Sequence, residues 1–459
     1  MAESVRARSE DEKRTFEFDD IFEHVSSFGR YQIIWLVFTG FVLIFPVTTQ
    51  FTLLVFANGT PGFHCVTPNV TCDPKKCCDG CTSYVFDGPF TSTVSEWNLI
   101  CDRGFLGATL QSCFFAGMLI GSFVTGMISD AWGRKKCIFF FDAIMIIAGV
   151  ASAFVHSIPL FATLRFILGF SLPGVMLPQY IYVMELVGPS KRTAAGNLEF
   201  LFHNGFQPLF VGIAYFLRDW RMLILASTVP AVLLFPFWKV FPESPRWLIA
   251  HDHLDEAQSI IESFGGKEKK PINSEVLKVL LEDIRRDQLE REREAKKYTP
   301  IDLFRSPKMR KWTAIMCYQW YEMLLFGRRA CHSITMFLVG ITFVVVLVLY
   351  KESPMATTAL SICGYLLIDC TWISVYLITS ELYPTVLRNT AQGTGSMTAR
   401  VGGILAPYVA LMGQLPGLSI AFPVVIFAVV GTIAGILMYW IPRDGFHANA
   451  PNHRGSRSG

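Results

Sequence analysis

The chain has 459 residues, 52% of them from the set AVILMFWYC and only 17% charged, against about 25% charged in soluble domains. That balance excludes an ordinary water-soluble protein, and a formal net charge of +3 is too small for a nucleic-acid surface. Twelve Cys over this length exclude a disulfide scaffold by density, although their placement is uneven.

Residues 1–31 are charged and lack a small-residue cleavage pattern, so the first apolar run reads as a retained helix rather than a signal peptide. Crossing about 30 Å of hydrocarbon as helix takes roughly 17–25 residues. Runs of that kind fall at 32–57, 105–128, 137–156, 159–182, 198–217, 222–241, 331–350, 355–378, 390–413 and 418–441. The expectation is an all-α integral membrane protein with about ten transmembrane helices.

Basic residues between these runs alternate. The tails and every second loop hold 31 Lys and Arg, whereas the other loops hold six: Lys75, Lys76, Arg103, Arg218, Arg221 and Lys351. Basic loops stay cytoplasmic, which puts both termini in the cytoplasm and predicts a multi-pass plasma-membrane protein. Segment 58–104 then faces outward. It carries Cys65, Cys72, Cys77, Cys78, Cys81 and Cys101, with acceptor sequons at Asn58 and Asn69, as expected of an oxidising, glycosylating side. Six Cys allow 15 pairings, and the sequence does not choose among them; the alternative to disulfides is a zinc site on His64 and the Cys78-x-x-Cys81 pair.

The organisation read from these signals is a tail at 1–31, a six-span helical half at 32–241, a cytoplasmic linker at 242–311, a shorter half at 312–441 and a cytoplasmic tail at 442–459. Within the linker, mixed charges over 282–297 predict a solvated surface helix. No nucleotide-binding loop and no Ser/His/Asp arrangement is present, so an enzyme, a cofactor and a metal are not expected.

Polar side chains inside apolar spans are costly and usually face the bundle interior or a water-filled path. Three stripes stand out. Tyr365, Asp369, Trp372 and Tyr376 fall on one helical face, an aromatic surface with one carboxylate that suits an ammonium. Gln392, Ser396 and Arg400 form a second stripe, and the planar guanidinium of Arg400 forks onto carboxylates; an internal pair between Arg400 and Asp369 is the structural alternative. Glu199, His203 and Gln207 form the third, where His203 is either a proton-exchanging group or a hydrogen-bonded packing residue. Asp142 and Arg165 are single intramembrane charges read as structural.

Five motifs then occur in a fixed order: Ser92-Thr-Val-Ser-Glu96-Trp97-Asn-Leu-Ile-Cys101, Gly126-Met-Ile-Ser-Asp130-Ala-Trp-Gly133-Arg134, Glu185-Leu-Val-Gly-Pro-Ser-Lys191-Arg192, Pro242-Glu243-Ser-Pro-Arg246-Trp247 and Glu381-Leu-Tyr-Pro-Thr-Val-Leu-Arg388. With them the chain resembles the organic cation, anion and carnitine transporter family of the major facilitator superfamily. The resemblance implies a two-half helical bundle that moves small organic ions by rocking of the halves around a midplane site, coupled to a sodium ion or a proton where coupling exists. It implies a gate built from Gly126, which lets a neighbouring helix approach, with Asp130, Arg134, Glu185, Arg192, Glu243 and Arg246 in one half and Arg328, Arg329, Glu381 and Arg388 in the other. It also implies that Arg400 stands where cation-preferring relatives carry an acid, which favours carnitine-like zwitterions or carboxylate-bearing solutes, with organic anions or cations as the alternative.

One stretch departs from the pattern. Cys317-Tyr-Gln-Trp-Tyr321 resembles the start of the family's seventh helix, yet Phe326-Gly327-Arg328-Arg329 already resembles the turn after its eighth. The sixteen residues between Lys311 and Arg328 are too few to cross and return, since one crossing takes about 20. A re-entrant or interfacial stub is expected there, and with it a second functional reading: a transport-deficient product with an interaction or regulatory role.

Overall fold

The computed structural model describes residues 16–67, 77, 81, 83–88, 90–265, 273–294, 330–349, 385–414 and 421–439, with a few isolated positions between 356 and 368. Two units are distinguished, one of residues 1–66 and 83–296 and the other of residues 67–82 and 297–459.

The first unit opens with a 3-10 turn at Phe18–Glu23. Helix α1 follows over Arg30–Ala57, as two α-helical stretches, Arg30–Thr39 and Phe45–Ala57, joined by a π turn at Gly40–Ile44. Pro46 sits just past that turn and has no N–H to return to the preceding turn, so the ladder is locally re-spaced there. A two-stranded ribbon, β1 (Gly62–Thr67) with β2 (Ser83–Asp87), and the short helix α2 (Thr93–Trp97) lead to the long helices. These are α3 (Gly104–Trp132), α4 (Arg134–Phe154), α5 (Ile158–Leu186) and α6 (Arg192–Phe216).

The last expected span of this unit is not one α-helix. Helix α7 ends at Thr228 (Trp220–Thr228) and continues as 3-10 turns over Val229–Phe237, because Pro230 and Pro236 remove two amide donors within seven residues. Among the described residues, five helices are long and apolar enough to cross a membrane: Arg30–Ala57, Cys101–Trp132, Arg134–Phe154, Ile158–Leu186 and Trp220–Phe237. Helix α6 has the length at 25 residues but carries Asn197, Glu199, His203, Asn204 and Gln207. Its polar stripe lowers its hydropathy, which is itself a sign of a face turned from lipid. Large side chains such as Val55, Ile147, Phe154, Leu201, Phe216 and Val240 are exposed around the unit, an apolar girdle that suits hydrocarbon and not water.

Helices α3 and α5 pack closest. A Cβ on Gly117 would run into the backbone carbonyl of Phe166, one on Gly121 into that of Phe170, and one on Gly169 into that of Phe114. Small residues let the two backbones touch, the usual basis of helix association in membranes. At Gly126, further along, an added Cβ would meet nothing within 4 Å among the described residues; the close contact of α3 with α5 is made at Gly117 and Gly121.

Two parts of the sequence reading change at the basic end of this unit. Residues read as a tail are partly core: Phe18, Ile21, Phe22 and Val25 are buried with Phe264, Leu277, Leu281 and Ile284, and the amide of Ser26 donates to Gly265 at 2.9 Å. The linker forms α8 (Pro245–Ala250), α9 (Leu254–Glu262) and α10 (Ser274–Glu294). Helix α10 begins eight residues before the charged stretch that pointed to it, and Leu277, Leu280, Leu281 and Ile284 are its buried stripe. It is an amphipathic docking helix, solvated only on the other face.

In the second unit, α11 (Ala330–Leu349) and α13 (Ala421–Tyr439) pack through Gly340, where a Cβ would lie 3.0 Å from Thr432 Oγ1. Helix α12 (Thr385–Leu411) ends in a 3-10 turn at Met412–Gln414 that contacts α13. Expected span 355–378 and stub 312–327 lie outside the described residues, save isolated positions of the former.

Candidate transport site

The polar stripe of α6 is tied to two neighbouring helices. Gln179 on α5 donates through Nε2 to Glu199 Oε2 at 2.7 Å, and Glu199 Oε1 is buried without a partner. His203 is hydrogen-bonded at both ring nitrogens: Nδ1 to Thr48 Oγ1 of α1 at 2.7 Å and Nε2 to Gln207 Nε2 at 3.2 Å. A neutral ring that donates from Nδ1 and accepts from the Gln207 amide satisfies both contacts. That geometry is compatible with the packing reading of His203. Thr48 and Gln179 were not singled out from sequence; a lone amide in the apolar run 159–182 is the signal that points to Gln179.

At the basic end, Arg134 forks onto Glu185 through Nε and Nη2 at 3.1 and 3.2 Å, and its Nη1 donates to the Ser129 carbonyl at 3.1 Å. Asp130, one turn back, reaches Arg134 at 3.1 Å but is largely exposed. Glu243 caps α4: its Oε1 accepts from the amides of Arg134 and Lys135 at 2.9 and 3.0 Å, where the helix dipole favours a negative charge. Burial pushes the Glu243 carboxyl above the ordinary Glu range, against the pull of those amides and of Ser244. Gly133 makes the cap possible, since its φ of +99° is open to glycine and a side chain there would strike the Glu243 carboxylate. Ser244 donates to Glu185 at 2.6 Å, and the Trp247 indole donates to the Asp130 carbonyl at 2.8 Å.

Arg192 and Arg246 were expected in this cluster and make other contacts. Arg192 pairs bidentately with Asp19, 173 residues away, and donates from Nε to the Met184 carbonyl. Arg246 stands over the ring of Phe18 at 5.8 Å. It still shares with Asp130, Arg134 and Glu185 the lining of a 460 Å³ cavity, so four of the expected gate residues meet there.

At the opposite end, α2 is clasped to α7. Glu96 accepts from the Trp220 indole at 2.8 Å and pairs with Arg221, while Trp97, Phe161 and Trp220 pack edge-on with centroids 5.1 to 5.7 Å apart. Burial raises the Glu96 carboxyl, but Arg221 and the indole outweigh it and hold the group below the usual Glu range. Cys65, Cys77, Cys81 and Cys101 are disulfide-bonded. That removes Cys81 as a zinc thiolate; of the two other candidate ligands, His64 is hydrogen-bonded to Asp87 at 2.7 Å. Cys72, Cys78 and Asn69 lie outside the described residues. Asn58 is a correction. It ends α1 only 5% exposed, its Oδ1 accepting from Thr93 at 2.8 Å and its Nδ2 enclosed, so a glycan on Nδ2 is incompatible with this packing.

In the second unit, Ser396 and Arg400 occupy a buried face of α12, Arg400 being 6% exposed and donating from Nη1 to the Ser396 carbonyl at 3.2 Å. Gln392 and Arg388 belong to the same helix; their side chains, with Tyr365, Asp369, Trp372, Tyr376, Glu381, Arg328 and Arg329, lie outside the described residues.

Comparison with known proteins joins these features. The profile of the family "Sugar (and other) transporter" matches residues 103–322. The organic cation transporter protein of Drosophila melanogaster is 32% identical over 407 residues, covering 79% of this chain and 74% of its own length. The chain belongs to the organic cation, anion and carnitine transporter family of the major facilitator superfamily. Another family relative, organic cation/carnitine transporter 4 of Arabidopsis thaliana, is 29% identical over 487 residues, with 95% and 90% of the two chains covered. The inward-open xylose transporter XylE of E. coli shares the fold at a TM-score of 0.62 and 16% identity, over 89% of this chain and 95% of its own. The protein is therefore a multi-pass membrane protein with a major facilitator helical bundle, and the Arg134–Glu185–Glu243 cluster lies on family motifs.

Proposed function

We propose that the protein is a plasma-membrane transporter of small organic ions that works by alternating access, with both termini in the cytoplasm. Carnitine-like zwitterions or carboxylate-bearing solutes are its preferred substrates, and a sodium ion or proton is the candidate coupling partner. The observation that carries the substrate class is Arg400, a guanidinium held on a buried helix face, whose planar fork of donors matches a substrate carboxylate bidentately. Asp369, Tyr365, Trp372 and Tyr376 remain proposed substrate contacts on sequence grounds. Arg328, Arg329, Glu381 and Arg388 likewise remain the proposed second half of the gate.

In cells expressing the chain at the surface, Arg400→Ala is expected to cut uptake of labelled carnitine and of an organic anion by about 100-fold, and Arg400→Lys to recover only part of it. Uptake unchanged by Arg400→Ala contradicts the substrate assignment.

A second reading is favoured by two observations. The alignment with the Arabidopsis relative runs over 487 residues, more than the 459 of this chain, so it passes positions that the chain lacks. The family profile stops at residue 322, inside the stretch where the end of helix seven and most of helix eight are missing by motif order. Under this reading the product reaches the membrane without transporting, because buried polar faces there lose their cover.

A further inference from the structure

We infer that Glu199 is a specificity-determining residue that receives the cationic head, an ammonium, of the transported ion; this rests on the organic-ion reading above and extends it to the first unit. The carboxylate is 5% exposed. One oxygen accepts from Gln179 Nε2 at 2.7 Å, and the other is buried with no partner. A buried carboxylate with a single neutral donor costs several kcal/mol unless a cation joins it or a proton neutralises it, and a bound ammonium holds it in the charged form.

Among the described residues, the neighbouring helices of the first unit supply no such cation. Helix α1 carries no charged residue after Arg30. On α5 the charged residues are Arg165 and Glu185; Arg165 is fourteen residues, about 21 Å of helix, from Gln179, and Glu185 is engaged by Arg134. On α6 the other charged residue is Arg192, two turns away and paired with Asp19. Helix α7 carries Arg221 at its far end, paired with Glu96. His203, the next residue of the stripe, has both nitrogens taken. Arg400, by contrast, attracts anions. Without Glu199 the stripe is neutral hydrogen bonders throughout, so this one carboxylate decides whether a positive group is accepted.

The test is binding by the purified full chain in detergent, read by ligand-induced thermal stabilisation, with tetraethylammonium as a cation lacking a carboxylate and glutarate as an anion lacking an ammonium. Glu199→Gln keeps the shape and a hydrogen bond to Gln179. It is expected to raise the Kd for tetraethylammonium at least tenfold while leaving glutarate affinity within twofold. Should that variant fail to give a folded peak, Glu199→Asp, which keeps the charge but withdraws it by one methylene, is expected to weaken tetraethylammonium by roughly threefold to tenfold. Tetraethylammonium affinity unchanged in either variant, or absent in the wild type, overturns the assignment. Binding that depends on Glu199 in a chain that moves no solute would support the assignment and contradict the transport reading.

Discussion

Arg134→Ala lowers the thermal midpoint of the detergent-solubilised protein by about 10 °C or removes its folded peak altogether. Glu185 is buried and receives two bonds from that guanidinium; removing one partner of a buried pair leaves the other charge without compensation, at about 3–5 kcal/mol. The loss spreads beyond the pair, since Ser129 loses a donor to its carbonyl and Asp130 loses its ion pair. The exposed Asp130 contact contributes little by itself, so Asp130→Asn should cost less than about 1 kcal/mol. The double variant Arg134→Met with Glu185→Met separates charge from packing: it removes both ions at similar volume and is expected to recover at least half of the lost stability. A double variant as unstable as the single one would mean that the hydrogen bonds to Ser129 and Ser244, not the paired charges, hold this end together.

Gly121→Leu is expected to abolish the folded protein, whereas Gly126→Ala leaves its stability unchanged or slightly raised. The two glycines lie on one helix five residues apart and differ only in what surrounds them. At Gly121 a Cβ meets the backbone of Phe170, which cannot rotate away as a side chain can, so α3 and α5 must separate and forfeit contact along their length, costing more than about 3 kcal/mol. At Gly126 no described residue lies within 4 Å of the added carbon, and alanine is the better helix former by about 1 kcal/mol. Fluorescence-detected gel filtration after a heating series measures both. Equal behaviour of the two variants would show that the packing of α3 on α5 is not as described.

What the sequence made legible follows from what each signal measures. Apolar runs located α3, α4, α5, α11 and α13 to within a few residues, because hydrocarbon thickness fixes how long a crossing must be. Residues of the Gly126 to Arg134 and Pro242 to Trp247 motifs come together at one end of the first unit. Their partners were another matter: Arg134 with Glu185, and Arg192 with Asp19, are pairings across 51 and 173 residues, and charge alone does not rank them. The burial of Asn58 was illegible for the same reason, since a sequon records three residues and the enclosing contact is Thr93. Other features are legible in the sequence: Leu277, Leu280, Leu281 and Ile284 have helical spacing beside the charges of the same helix, and Pro230 and Pro236 announce the 3-10 turns that replace the end of α7.

Carriage of small organic ions across the membrane is the proposed function of this chain. It is tested most directly by expressing the full chain, verifying surface delivery by biotinylation, and measuring uptake of a labelled organic cation, an organic anion and carnitine against cells without it. Saturable uptake of carnitine or the anion, lost on Arg400→Ala at equal surface abundance, is the predicted result. No uptake of any of the three from a chain fully delivered to the surface would contradict it.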